Sequence, residues 1–178
     1  MSFMPNTLYD VIAETWPAAK LHRAGQWTIR DGQGGGKRVS AATANGSVQP
    51  IDIQQAESAM QELGQRPLFM LRDGEADLDA LLANAGYEMI DPTNLYQAPI
   101  ANIATQRPPR TSMFCIWEPL QIQYDIWAAG GITRPRLSIM QRTTAKKTSL
   151  FGRWNNRPAA TGFVAIHAGT AMVHAVEV

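Results

Sequence analysis

Cysteine is nearly missing from this chain. Cys115 is the only one in 178 residues, which excludes an internal disulfide and any multi-thiolate zinc site. Histidine is almost as scarce, limited to His22, His167 and His174. No apolar run approaches the roughly 18 residues that a membrane-spanning helix needs, and the amino terminus lacks the basic and then apolar stretch of a secretory signal. A cytoplasmic protein with no membrane partner is therefore expected. What is present is a globular composition, 45% hydrophobic and 17% charged, enough for one ordinary domain or two small ones.

The net charge of +1 conceals an asymmetry. Residues 1–100 hold 7 Lys and Arg against 12 Asp and Glu, and residues 101–178 hold 9 against 3, giving −5 and +6. Such halves can attract each other, and a basic half can also attract a polyanion. Nucleic acid is not expected as a partner, because the basic residues are neither interleaved with an aromatic motif nor arranged along a recognition helix.

Periodicity gives the organisation. Thr7 to Trp16 places Leu8, Val11, Ile12 and Trp16 near one helical face, and Pro17 closes it. Gln26–Arg30 and Lys37–Ala44 read as a hairpin around the glycine cluster at 31–36. That cluster lacks the Lys-Ser/Thr ending and the immediate helix of a phosphate loop. Asp52 reads as the cap of a helix with Gln55 three residues on and Ile53, Ala56, Met60 and Leu63 as its stripe. Pro67–Arg72 reads as a strand, Ala76–Ala85 as a helix ending at Gly86, and Tyr87–Ile90 and Asn94–Ala98 as short strands.

The polar stretch 101–112, with Pro108-Pro109 between arginines, suits an extended connector. Beyond it, Leu120–Ala129 and Pro135–Thr144 are expected helices. Thr148–Arg153, Ala159–His167 and Ala171–Val178 are expected strands of an antiparallel meander, turning at Trp154-Asn155-Asn156-Arg157 and at Ala168-Gly169. Strand parity puts Val164, Ile166, Val173 and Ala175 on one face and Phe163, Ala165, Met172, Val176 and Val178 on the other. Both faces are apolar enough to be covered by helices.

Two helices followed by this meander, closing on Met172-Val173-His174-Ala175-Val176-Glu177-Val178, resemble the opening half of a GNAT N-acetyltransferase domain. The leading segment, with Gly25-Gln26-Trp27-Thr28-Ile29-Arg30, Lys37-Arg38-Val39-Ser40, the block 66–100 and its Leu81-Leu82-Ala83-Asn84-Ala85-Gly86-Tyr87 join, is similar to the degenerate first repeat of tandem members. The resemblance implies an α+β fold of mixed, largely antiparallel sheets flanked by helices. It divides the chain into two similar units, 1–100 and 113–178, with the second incomplete and 101–112 between them. The Gln/Arg-x-x-Gly-x-Gly/Ala loop that holds the coenzyme pyrophosphate in this superfamily is absent from both.

That family moves an acetyl group from acetyl-coenzyme A to an amine without a covalent enzyme intermediate. The resemblance implies Glu177 as the base, backbone N–H groups near Val176 and Val178 as contacts to the pantetheine arm and acetyl oxygen, and a small amine as substrate. Acetyl-coenzyme A is not expected bound to this chain, since the pyrophosphate loop is lacking. The alternative is a catalytically silent GNAT-like module that binds a ligand or another subunit.

No metal site is expected. A two-residue turn would leave His174 about 14 Å beyond His167 at about 3.4 Å per residue, so both read as partly buried strand histidines, and His22 has no evident partner. Trp16, Trp27, Trp117, Trp127 and Trp154 read as core or interface anchors. The apolar strand Ala171–Val178 lacks a second neighbour, so its edge is expected to be covered by the first repeat, by a symmetry-related copy in a homodimer, or by residues lost from the chain.

Overall fold

A computed structural model describes residues 5–178, with side chains from residue 8 onward. Helix α1 (Pro5–Thr15) buries Val11, Ile12 and Thr15, and Pro17 follows its last turn. A first sheet has the order β1 (Lys20–Ala24), β2 (Trp27–Asp31), β3 (Thr43–Ala44), all antiparallel. Helices α2 (Pro50–Glu62) and α3 (Ala76–Asn84) pack on it. Ile53, Ala56, Met60, Leu78 and Leu82 form one core with Trp27, Ile29, Ala42 and Ala44. The Trp27 indole fixes the pair by donating to the Asp52 carbonyl at 2.7 Å.

Several expectations for this region are corrected. The tight hairpin is β1–β2, turning at Gly25 (φ 55°) and Gln26, and the expected antiparallel pairing across the glycine cluster is present only as the short β2–β3 pair, Trp27 with Ala44 and Thr28 with Thr43. Lys37–Val39 is a 3-10 turn, and only Thr43–Ala44 of the expected strand joins the sheet. The glycine cluster is a packed connection: a Cβ on Gly35 would stand 2.6 Å from Ile139 Cδ1 and 3.0 Å from Val39 Cγ2. Asp52 lies inside α2, where its carboxylate accepts from the N–H of the capping residue Gln49 at 2.7 Å. Pro67–Arg72 makes a single parallel bridge, Phe69 to Ala42. Tyr87–Ile90 and Asn94–Ala98 form no strand; residues 88–111 are exposed, with one short helix, α4 (Ile100–Ile103).

The second sheet is antiparallel in the order β4 (Met113–Ile116), β5 (Lys146–Trp154), β6 (Arg157–His167), β7 (Thr170–Glu177). Helices α5 (Gln121–Ala129) and α6 (Arg134–Arg142) lie between β4 and β5 in the chain. The β5–β6–β7 meander turns at Asn155-Asn156 (φ 48° and 61°) and at Ala168-Gly169 (φ 46° and 77°). Positive φ at both central residues is what a two-residue hairpin on twisted strands requires.

One face of this sheet carries the second core. Phe163 and Ala165 pack with Trp127, Ile132, Ile139 and Met140, and also with Trp16 and Val39 from the leading segment. Helix α1 thus lies over β6 and β7. The opposite face is uncovered, contrary to expectation: Met113, Ile166, Val173 and Val176 are 48%, 40%, 55% and 60% exposed. Strand β7 is a sheet edge among the described residues. The protein is α+β, with two antiparallel sheets of three and four strands flanked by helices.

Candidate functional site at the β7 bulge

The expected site residues meet where β7 loses its regular pairing. Thr161 pairs with Glu177 and Phe163 with His174, so Ala175 and Val176 together stand opposite the single residue Gly162. This is a β-bulge, with the left-handed residue at Ala175 (φ 50°). The glycine lets the strands close up: a Cβ there would stand 3.5 Å from Val176 Cγ2. The bulge is pinned from the α5 side, where the buried Trp127 indole donates to the Ala175 carbonyl at 2.8 Å.

The extra residue reverses the strand's phase. Val164, Ile166 and Val173 stay on the uncovered face, and Val176 joins them beside Gly162 rather than facing the core, while Ala175 packs against the core. Glu177, half-buried, turns to the helix side and rests on Gly130 at the end of α5. A Cβ at position 130 would stand 2.8 Å from Glu177 Cγ and nearer still to its carboxylate, so a larger residue there would displace this side chain. Val178 is 97% exposed.

Comparison of the chain with protein-family models, curated proteins and solved structures gives no match.

His174 is 5% exposed and fully engaged. The Thr15 hydroxyl donates to the Val11 carbonyl at 2.6 Å and so accepts from His174 Nε2–H at 2.9 Å. Arg38 Nη1 donates to Nδ1 at 3.2 Å. The ring stacks on Trp16 with centroids 4.9 Å apart. Burial, reinforced by the Arg38 charge, pushes its pKa down to about 4. With both nitrogens bonded and the ring neutral, His174 neither takes a proton from a substrate nor ligates a metal at neutral pH. His167 pairs with Thr170 at the turn, as the spacing implies, and His22 is exposed on β1. Trp16, Trp27 and Trp127 are core residues, whereas Trp117 and Trp154, 36% and 74% exposed, are not.

A buried polar cluster under the bulge escaped sequence reading. Gln123, on α5, donates from Nε2 to Ser149 Oγ, the Leu150 carbonyl and Thr161 Oγ1 at 3.0, 3.1 and 3.2 Å, and accepts from Leu120 N–H at 3.0 Å. Together with Trp127 on the same helix, it ties α5 to β5, β6 and β7. One glutamine in an apolar helical stripe was the only signal available.

Proposed function

We propose that the bulge of β7 is an acyl-transfer site, at which an amine takes the acetyl group of acetyl-coenzyme A. The bulge itself carries this reading. Regular pairing would commit alternate peptide groups of β7 to β6, but a bulge turns them out of the ladder. Trp127 holds the Ala175 carbonyl, which fixes the peptide that follows. N–H groups of Val176 and Val178 can then donate to the thioester oxygen as it gains negative charge, the kind of preorganised donor that favours a tetrahedral intermediate.

In that reaction the neutral amine nitrogen attacks the thioester carbonyl carbon, the C–S bond breaks, and the departing thiolate takes a proton. Glu177 would accept the proton the amine loses, directly or through water. The resemblance to GNAT enzymes supplies the substrate class. Release of free coenzyme A thiol in the presence of a panel of primary amines is the test. Because the pyrophosphate loop is lacking, the coenzyme is expected to bind weakly, so turnover above the uncatalysed rate is expected only at high acetyl-coenzyme A and without saturation, lowered roughly 100-fold in Glu177→Gln if the carboxylate is the base. No release with any amine would defeat the enzyme reading.

The second reading, a catalytically silent module that binds a ligand or subunit, is favoured by His174: the imidazole nearest the bulge serves wholly in structural hydrogen bonds.

A further inference from the structure

We propose that Glu177 and the C-terminal end of α5 form a site for a primary alkylammonium ion, one with no carboxylate on the carbon beside its nitrogen. Helix α5 meets the second sheet through Gln123, Trp127 and Gly130, spaced four and three residues apart and so on one face. Gln123 donates to Thr161, the register partner of Glu177. Trp127 holds the Ala175 carbonyl, two residues before Glu177. Gly130 lies directly beneath the Glu177 side chain, whose Cγ stands 2.8 Å from where a Cβ would be. The helix end and the carboxylate are thus fixed against each other.

As it stands, that arrangement sets negative against negative. The C-terminal end of a helix carries roughly half a unit of negative charge, and the last turn of α5 has no basic residue to offset it. The carbonyls of Ile126, Trp127 and Ala128 accept from the N–H groups of Gly130, Ile132 and Gly131, but that of Ala129 meets no backbone donor among the described residues. Glu177 brings a half-buried carboxylate to this end. The ion pairs among the described residues are Lys37–Asp91 and Arg72–Glu75, so no described side-chain cation answers it. A bound cation offsets both charges at once.

The chemistry selects the kind of cation. One carboxylate beside one open carbonyl supplies too few ligands for a divalent metal, which takes about six or more oxygens, and among the described residues no three acidic, His or Cys side chains gather to hold one. A primary ammonium needs only acceptors for its three N–H groups, in no fixed geometry. A carboxylate on the adjoining carbon would stand about 4–5 Å from that of Glu177 and be repelled, weakening binding roughly tenfold or more. Amino acids are therefore disfavoured relative to simple alkylamines. That the held amine is the acetyl acceptor rests on the acyl-transfer reading above; its binding does not.

Titration of the protein with n-butylamine near neutral pH, followed by NMR at the amide of position 130 and at the side chain of position 177, should give saturable shifts. Glu177→Gln should abolish them. Gly130→Ala, which keeps the charge but displaces the carboxylate, should weaken binding several-fold; circular dichroism establishes that both variants remain folded. Norvaline, an alkylamine of the same chain with a carboxylate added, should bind at least about tenfold more weakly. Norvalinamide, equal in size but uncharged at that group, should bind like n-butylamine. No saturable shift in the wild type, shifts undiminished in either folded variant, or norvaline bound as tightly as norvalinamide would each overturn the proposal. Saturable binding of n-butylamine without release of coenzyme A thiol from millimolar acetyl-coenzyme A would leave the site standing and count against the acyl-transfer reading alone.

Discussion

His174 shows how one side chain can hold distant parts of the chain together and leave a pH signature. Its Nε2 meets Thr15, at the end of α1, and its Nδ1 meets Arg38 in the 3-10 turn. The folded pKa of about 4 lies below the ordinary 6.5, so the unfolded chain binds the proton first as pH falls. The stabilisation is complete above about pH 6.5 and lost toward pH 4. The full loss is about 3 kcal/mol, of which about 2 kcal/mol is gone by pH 5, above most carboxylate titration. Urea unfolding at a series of pH values should show this slope, and His174→Phe, which keeps an apolar ring but cannot titrate, should flatten it. An unchanged slope in the variant would assign the effect elsewhere.

At the scale of elements, backbone geometry makes a pair of predictions of opposite sign. Gly35 lies against α6, where an added methyl would meet Ile139 Cδ1 at 2.6 Å and the Gly32 carbonyl at 3.0 Å. Gly35→Ala should cost about 1–3 kcal/mol through overpacking. Ala168 is exposed in the β6–β7 turn at φ 46°. Ala168→Asn, giving the Asn-Gly pair that such turns favour, should add about 0.5–1 kcal/mol. Thermal unfolding monitored by circular dichroism resolves both; a stabilised Gly35→Ala would mean that the glycine connection yields where close packing implies it cannot.

The same elements explain what could be read in advance. Helices α2, α3, α5 and α6 and the three-strand meander were legible because apolar spacing and turn residues agree locally. β1 was not, since four of its five residues are exposed and its Lys-Leu-His-Arg-Ala sequence shows no buried alternation. Tyr87–Ile90 and Asn94–Ala98 looked like strands by residue type but have no neighbouring strand to pair with. At the site, Glu177 was visible as a carboxylate at a strand end. The bulge was hidden, because parity counted through Ala175 assumes unbroken pairing, and what breaks it is an indole 48 residues earlier in sequence.

For the whole molecule, the consequential contact is the one made by the leading segment with the second sheet. Trp16 is 7% exposed, stacks on His174 and lies 5.9 Å, centroid to centroid, from Phe163, so its loss opens the second core directly. The first core, centred on Trp27, Ile29 and Met60, shares none of these residues. Trp16→Ala should cost about 3–5 kcal/mol, the usual range for a buried aromatic truncated to alanine. The loss should be uneven. Native-state hydrogen exchange is expected to show β6 and β7 amides losing protection while β2 amides keep most of theirs, because the cavity forms under the second sheet alone. Equal loss in both sheets would instead mean that α1, Val39 and the contact of the glycine connection with α6 bind the two cores into one cooperative unit.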